Sequence, residues 1–219
     1  MTTKADVEEF KQRRYSAMAR VLIPALEERQ YEVFFCRDGK EAADLVLDLI
    51  PGSSSVSWGG SVTLEEIGVL DRLKAGDYQV IDRSVGRTPE ERTELMRRGL
   101  TADWFLTSFN SVSLDGTIYN IDGHGNRVSA IAFGPRQVIA VVGMNKVTKS
   151  REEALQRAQD IAAQLNAARF NRDETLFTEN DVTEDLPVKG RICNITQELT
   201  FCGTPKRIKI ILVAEELGF

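Results

Sequence analysis

Residues Gln137–Gly143, QVIAVVG, form a nearly continuous apolar run with no polar alternation. A strand with one face in water alternates in polarity. A strand that is apolar throughout is covered on both faces, the condition met in a parallel sheet between layers of helices. The runs Tyr31–Cys36, Ser55–Trp58, Tyr78–Ile81, Ala102–Thr107 and Arg207–Ala214 also read as short strands, and helical patterns separate most of them. Asp38 and Glu41 open one helix, which closes before Pro51-Gly52. Thr88-Pro89-Glu90-Glu91 supplies a cap, a proline at the first helical position and a capping-box glutamate for another, ending near Gly99. Ser150 and Glu153 cap a long helix whose apolar face is predicted to carry Leu155, Ala158, Ile161, Leu165 and Ala168. Residues 1–30 read as a helical segment with Val7, Phe10, Met18, Val21, Leu22, Ala25 and Leu26 mainly on one face, kinked or divided at Pro24. Asp115-Gly116 between Ser111–Leu114 and Thr117–Ile121 signals a β-hairpin. The expected fold is therefore a three-layer α/β/α arrangement around a mostly parallel sheet, with one hairpin.

With 219 residues, 42% of them hydrophobic and 28% charged, the chain is expected to form one domain over 1–219 and to bury a core without disulfides or metal. The exception is the acidic stretch 169–190, which lacks apolar periodicity and reads as a surface loop. A net charge of −5 with no dominant basic region argues against a nucleic-acid partner. The charged start, MTTKADVEEFKQRR, has no apolar signal region, and Lys209 interrupts the short apolar run Ile208–Ala214. No membrane partner and a cytoplasmic location are expected. Cys193 and Cys202 have the spacing C-x8-C, which fits neither a zinc nor an iron–sulfur site, and Cys36 reads as a small apolar residue, so no metal is assigned.

Parallel sheets bind ligands at the carboxyl ends of their strands. The first such place is Gly59-Gly60-Ser61, between a strand and a short helix, VTLEEIG, that ends at Gly68. Its backbone N–H groups and helix dipole suit an anion, glycines admit close approach, and Ser61 or Thr63 adds a hydroxyl. The alternative is a tight turn with Ser61 as an ordinary N-cap. Glu65, one turn into the helix, is a candidate base or nucleophile if it faces the glycine loop. The second place is Asp122-Gly123-His124-Gly125-Asn126-Arg127. Asp122 is a candidate base there, Asn126 a polar contact, and Arg127 a two-pronged clamp for carboxylate or phosphate. Asp-Gly and Gly-Asn are also plain turn chemistry. Lys146 follows the apolar strand, where a cation for a ligand would sit. Both glycine turns are expected to converge on one pocket. Gly123-His124-Gly125 reads as leading into another strand-like stretch rather than a capped helix, so no nicotinamide or flavin, and no other cofactor, is expected.

Taken together, SWGGSVTLEEIG, ADWFLTSFNSVSLDGTIYNIDGHGNRVSAIAFGP, QVIAVVGMNKV, RICN and the final ILVAEELGF resemble, in this order, the LUD family, the lactate-utilisation C-type proteins. The resemblance covers most of residues 55–219. It implies a sheet fold similar to the ribose-5-phosphate isomerase and coenzyme A transferase group. Its matching positions include Gly59, Gly60, Ser61, Thr63, Glu65, Asn110, Asp122, Asn126, Arg127 and Lys146. It further implies an accessory, non-redox subunit in bacterial oxidation of L-lactate to pyruvate, with iron–sulfur subunits as partners. The alternative is a free-standing enzyme or binding module for a small anionic metabolite: an organic acid, sugar phosphate or acyl-CoA. Some family members carry a cysteine cluster before the RICN motif; residues 171–190 here hold none, so a cluster-binding role does not carry over.

Overall fold

The computed structural model describes residues 2–170 and 193–219. The part of the expected acidic loop at 171–190 lies outside the described residues. Six strands, β1 (Glu32–Cys36), β2 (Ser55–Trp58), β3 (Gln79–Ile81), β4 (Trp104–Thr107), β7 (Gln137–Gly143) and β10 (Ile208–Val213), form one sheet in the order β1-β10-β7-β4-β2-β3. Every neighbouring pair is parallel. A second sheet has the order β8-β5-β6-β9, where β5 is Ser111–Ser113, β6 is Ile118–Asp122, β8 is Val147–Thr148 and β9 is Ile195–Leu199. The β5–β6 pair is the expected antiparallel hairpin, turning at Gly116 with φ +88°.

The apolar strands are sandwiched as their composition requires. Side chains alternate across a strand. Val138, Ala140 and Val142 of β7, with Ile208, Ile210 and Leu212 of β10, meet Tyr15, Ala19, Leu22 and Leu26 of α1 (Lys4–Glu28) and Ala130 and Ile131 of α6 (Asn126–Ala132). Ile139, Val141, Ile211 and Val213 point the other way, to Ala42, Ala43 and Val46 of α2 (Gly39–Leu49) and Val69, Leu70 and Leu73 of α4 (Val69–Ala75). The three-layer fold follows from these two cores.

Local start signals are used as written. Asp38 accepts from the Glu41 N–H at the head of α2, Ser61 from the Leu64 N–H at α3 (Val62–Glu66), and Thr88 with Glu91 forms a capping box on α5 (Pro89–Gly99). Other expectations need correction. α1 is not divided at Pro24, which lies on its exposed side where a carbonyl left without a helical donor can be hydrated. Val7, Phe10 and Val21 are exposed, and the buried stripe of α1 is Tyr15-Ala19-Leu22-Leu26. The helix after Ser150 runs as α7 (Arg151–Arg157), a π-helical turn (Ala158–Ala163) and α8 (Gln164–Arg169). It buries Ala154, Ala158, Ala162, Ala163 and Ala167 and exposes Ile161 and Leu165. Alanines let the helix approach the second sheet closely, and the widened turn shifts its face. Gly125, left-handed at φ +84°, leads into helix α6, not into a strand. Among the described residues no helix is long and apolar enough to cross a membrane.

Candidate functional site

Four carboxyl ends of the parallel sheet and the start of α6 enclose a cavity of about 710 Å3. The loop after β2 contributes Gly60, Ser61 and Thr63. A 3-10 turn after β3, Arg83–Val85, contributes Arg83 and Ser84; the residues after β4 contribute Ser108 and Asn110; and the 3-10 turn after β7, Met144–Lys146, contributes Lys146. Asp122, Asn126 and Arg127 come from the β6–α6 turn, Arg92 from α5, Arg169 from the end of α8, and Phe170 and Phe219 complete the wall. Eight expected residues, Gly60, Ser61, Thr63, Asn110, Asp122, Asn126, Arg127 and Lys146, thus line one space, and the two glycine turns do face each other across it.

Two expected residues do not line it. Glu65 is exposed. It lies two residues beyond Thr63, which is buried against Lys146; two residues turn a helix by about 200°, so the carboxylate faces away from the cavity. Gly59 lies behind the wall, and its place in the fold is steric. A Cβ on Gly59 would come 3.2 Å from Cδ of Arg127, and one on Gly60 would come 2.7 Å from Nη2 of Arg83. The glycine pair makes room for two arginine side chains to lie against the main chain.

Arg127 is a half-buried strut rather than a clamp. Its Nη1 donates to the Ser108 carbonyl at 3.2 Å and to Asn120 Oδ1 at 2.8 Å. Its Nη2 donates to Asn110 Oδ1 at 2.9 Å and to the Ile121 carbonyl at 2.6 Å. Those four bonds use all the terminal N–H groups of the fork on neutral oxygens, leaving its charge but not its geometry available to a ligand. Burial pushes its pKa down, opposed by the charge of Asp122. Asp122 is occupied as well: Oδ1 accepts from the Gly123 N–H at 2.9 Å, and Oδ2 from the N–H groups of Arg127 and Val128 at 3.0 and 3.1 Å. It caps α6 from before the turn and holds few lone pairs back for work as a base.

Lys146 is 1% exposed. Its Nζ donates to Thr63 Oγ1 at 2.8 Å and to Ser108 Oγ at 3.0 Å, with no carboxylate within ion-pair distance among the described residues. Burial first, then the positive charges of Arg157 and Arg127, bring its pKa down to about 7. An amine that exchanges its proton near neutral pH at the floor of a cavity can act as a general acid or base.

Sequence patterns did not single out Arg83 and Arg169. Arg83 follows the end of β3, so the rule of strand ends could have found it; Arg169, at the end of a helix, has no local signal. Among the described residues no group of three His, Cys, Asp or Glu side chains is arranged to hold a metal ion.

Comparison with known proteins bears on the fold and family. The family model described as the LUD domain matches residues 19–213. The chain belongs to the LUD-domain family. The crystal structure of a DUF162 family protein from Deinococcus radiodurans resembles this LUD-domain chain with a TM-score of 0.54 at 13% identity, over 91% of this chain and 98% of that one. At that identity the likeness concerns the fold. No curated protein matches the chain.

Proposed function

We propose that this LUD-domain chain takes a small anionic metabolite into the cavity at the carboxyl edge of its sheet. One observation carries the reading: a chain of net charge −5 places Arg83, Arg92, Arg127, Lys146 and Arg169 around a space in which, among the described residues, Asp122 is the only acidic side chain of the lining. Basic groups gathered in a cleft with low-dielectric walls focus a positive potential where a ligand enters. The volume lies in the range of pockets that enclose drug-sized ligands, larger than a three-carbon acid requires. Organic acids beyond that size, sugar phosphates and acyl-CoA esters fit this description. The reaction chemistry on offer is proton transfer at Lys146, with Ser108 and Thr63 orienting the amine. The role implied by the family name, a non-redox subunit in lactate oxidation, is compatible with an anion site and is proposed only to that extent.

The test is a thermal-shift screen of the full chain over organic acids, sugar phosphates and coenzyme A esters at constant ionic strength. A rise of several degrees for one anionic class, lost in Lys146→Met, is the expected result. Shifts for neutral sugars or amines alone, with none for any anion, would refute the reading.

A further inference from the structure

The cations of this cavity are of two kinds. Arg127 has spent its four terminal N–H groups, and Lys146 two of its three, on neutral oxygens of the protein. Arg83 and Arg169 have not. Arg83, half-buried, makes a single hydrogen bond among the described residues, from Nη1 to the Met96 thioether at 3.6 Å. Its chain neighbour Asp82 is engaged elsewhere, with Lys74 at 3.0 Å and the Ser84 N–H at 2.8 Å. Arg169 lies over the rings of Phe170 and Phe219, with centroids at 4.9 and 6.0 Å, and has no oxygen partner among the described residues. Both guanidiniums reach the same point. A Cβ built on Gly60 would lie 2.7 Å from Nη2 of Arg83 and 3.4 Å from Nη2 of Arg169. The bare main chain at Gly60 is therefore flanked by two like charges, with the Arg83 guanidinium lying where a side chain would be. Such neighbours repel: burial lowers the Arg83 pKa most, the charge of Asp122 opposes that, and the charge of Arg169 adds to the lowering.

We infer that Arg83, Arg169 and the bare main chain at Gly60 form a phosphoryl subsite, and that the ligand of the cavity is a phosphate monoester. This rests on the anion-binding reading and narrows it. A carboxylate offers two oxygens and one charge; a phosphate monoester offers three terminal oxygens and up to two charges, and suits two guanidinium forks at once. The organic part then extends toward Asn126, whose side chain makes no hydrogen bond among the described residues, and toward Lys146 at the floor. The division of labour is a charged anchor at the rim and a proton-transfer group within.

Isothermal titration of the full chain at pH 8 and fixed ionic strength tests this with three probes: glycerol 3-phosphate, inorganic phosphate and succinate. Glycerol 3-phosphate is expected to bind saturably and more tightly than inorganic phosphate, and succinate, of equal charge, to bind more weakly than either. Arg83→Gln and Arg169→Gln are each expected to weaken glycerol 3-phosphate about tenfold. Arg97→Gln, an exposed arginine of α5, should leave it unchanged. Arg169 lies on an exposed helix end, so its variant keeps the test open even if Arg83→Gln folds poorly. Equal binding of succinate, or phosphate binding untouched by Arg169→Gln, overturns the subsite. Equal affinity for inorganic phosphate and glycerol 3-phosphate overturns the monoester assignment. If neither phosphate compound binds while an organic acid or coenzyme A ester shifts the melting temperature, the subsite fails and the anion site stands; if no anion binds, both fail.

Discussion

Gly60 and Arg83 are sterically complementary: the guanidinium occupies the space a side chain on residue 60 would need, 2.7 Å from an ideal Cβ. The obstructing atom is the far end of a flexible side chain, so Gly60→Ala should displace Arg83 at small cost in stability. The expected outcome is a melting temperature within a few degrees of wild type and a clear loss of anion affinity. Gly59→Ala should behave differently, because the atoms it meets, Cγ and Cδ of Arg127, belong to a side chain pinned by four hydrogen bonds. Overpacking of this kind costs about 1–3 kcal/mol. Chemical denaturation of the two variants should rank them in that order.

Arg127→Met keeps much of the stem and removes the fork. It removes the Arg127 donors from Asn120, Asn110 and two main-chain carbonyls, although Asn110 Oδ1 keeps the Ile121 N–H at 2.9 Å. Losing bonds to a charged group and stranding enclosed acceptors should cost about 3 kcal/mol or more in unfolding free energy, read from urea midpoints. An unchanged midpoint would show that the strut is not structural.

Lys146 should give the fold a pH dependence on the alkaline side. Folded, its pKa lies at about 7; unfolded, it returns to the ordinary lysine range. Between those values the unfolded chain holds a proton that the folded chain lacks, so stability rises as pH increases through that window, by at most about 1.4 kcal/mol per pH unit. Lys146→Met should flatten that rise. Comparing urea midpoints of the two proteins from pH 7 to 10 measures it, and parallel curves would contradict the depressed value. Ligand anions should bind more weakly as pH rises through 7.

Asp115 predicts an effect on the acid side. Burial works to raise its pKa, but the Ser113 hydroxyl, Arg151 at 2.7 Å and Thr117 outweigh it and hold it below the usual carboxylate range. Its stabilisation is therefore complete above the unfolded carboxylate pKa, about 4, and is lost as pH falls below that. Asp115→Asn should lower stability by about 1 kcal/mol at pH 7, a modest figure because the group is partly open to solvent, and should weaken the decline below pH 4. A variant with the same acid profile as wild type would count against the network.

What the sequence revealed and what it hid follows from the range of each interaction. β2 and the caps of α2 and α5 were legible because the determining residues are within four positions of one another. The buried face of α1 was not, since Phe10 and Val21 are as apolar as Leu22 and only the sheet decides which side is covered. Helix α6 was hidden because its cap, Asp122, acts from across the glycine turn rather than from the position before the helix. The convergence of the two glycine turns was readable from the rule of strand ends. The division of duties inside the cavity was not. Arg127 carries every attribute of a ligand clamp in sequence and is consumed by oxygens as distant as Ser108, whereas Arg169 acquires its place only through the fold.

The strand order has a further consequence. β10, late in the sequence, lies between β7 and the early strand β1, with Ile211 beside both Phe34 and Val141. During synthesis on the ribosome, the side of β7 that β10 will occupy must wait until the residues up to Val213 have emerged. Until then a strongly apolar strand offers its hydrogen-bonding edge to any neighbour, which is the circumstance that favours misassembly and chaperone capture. A chain shortened before Ile208 would keep most of its cavity residues in sequence, yet would lose the strand that joins its beginning to its middle.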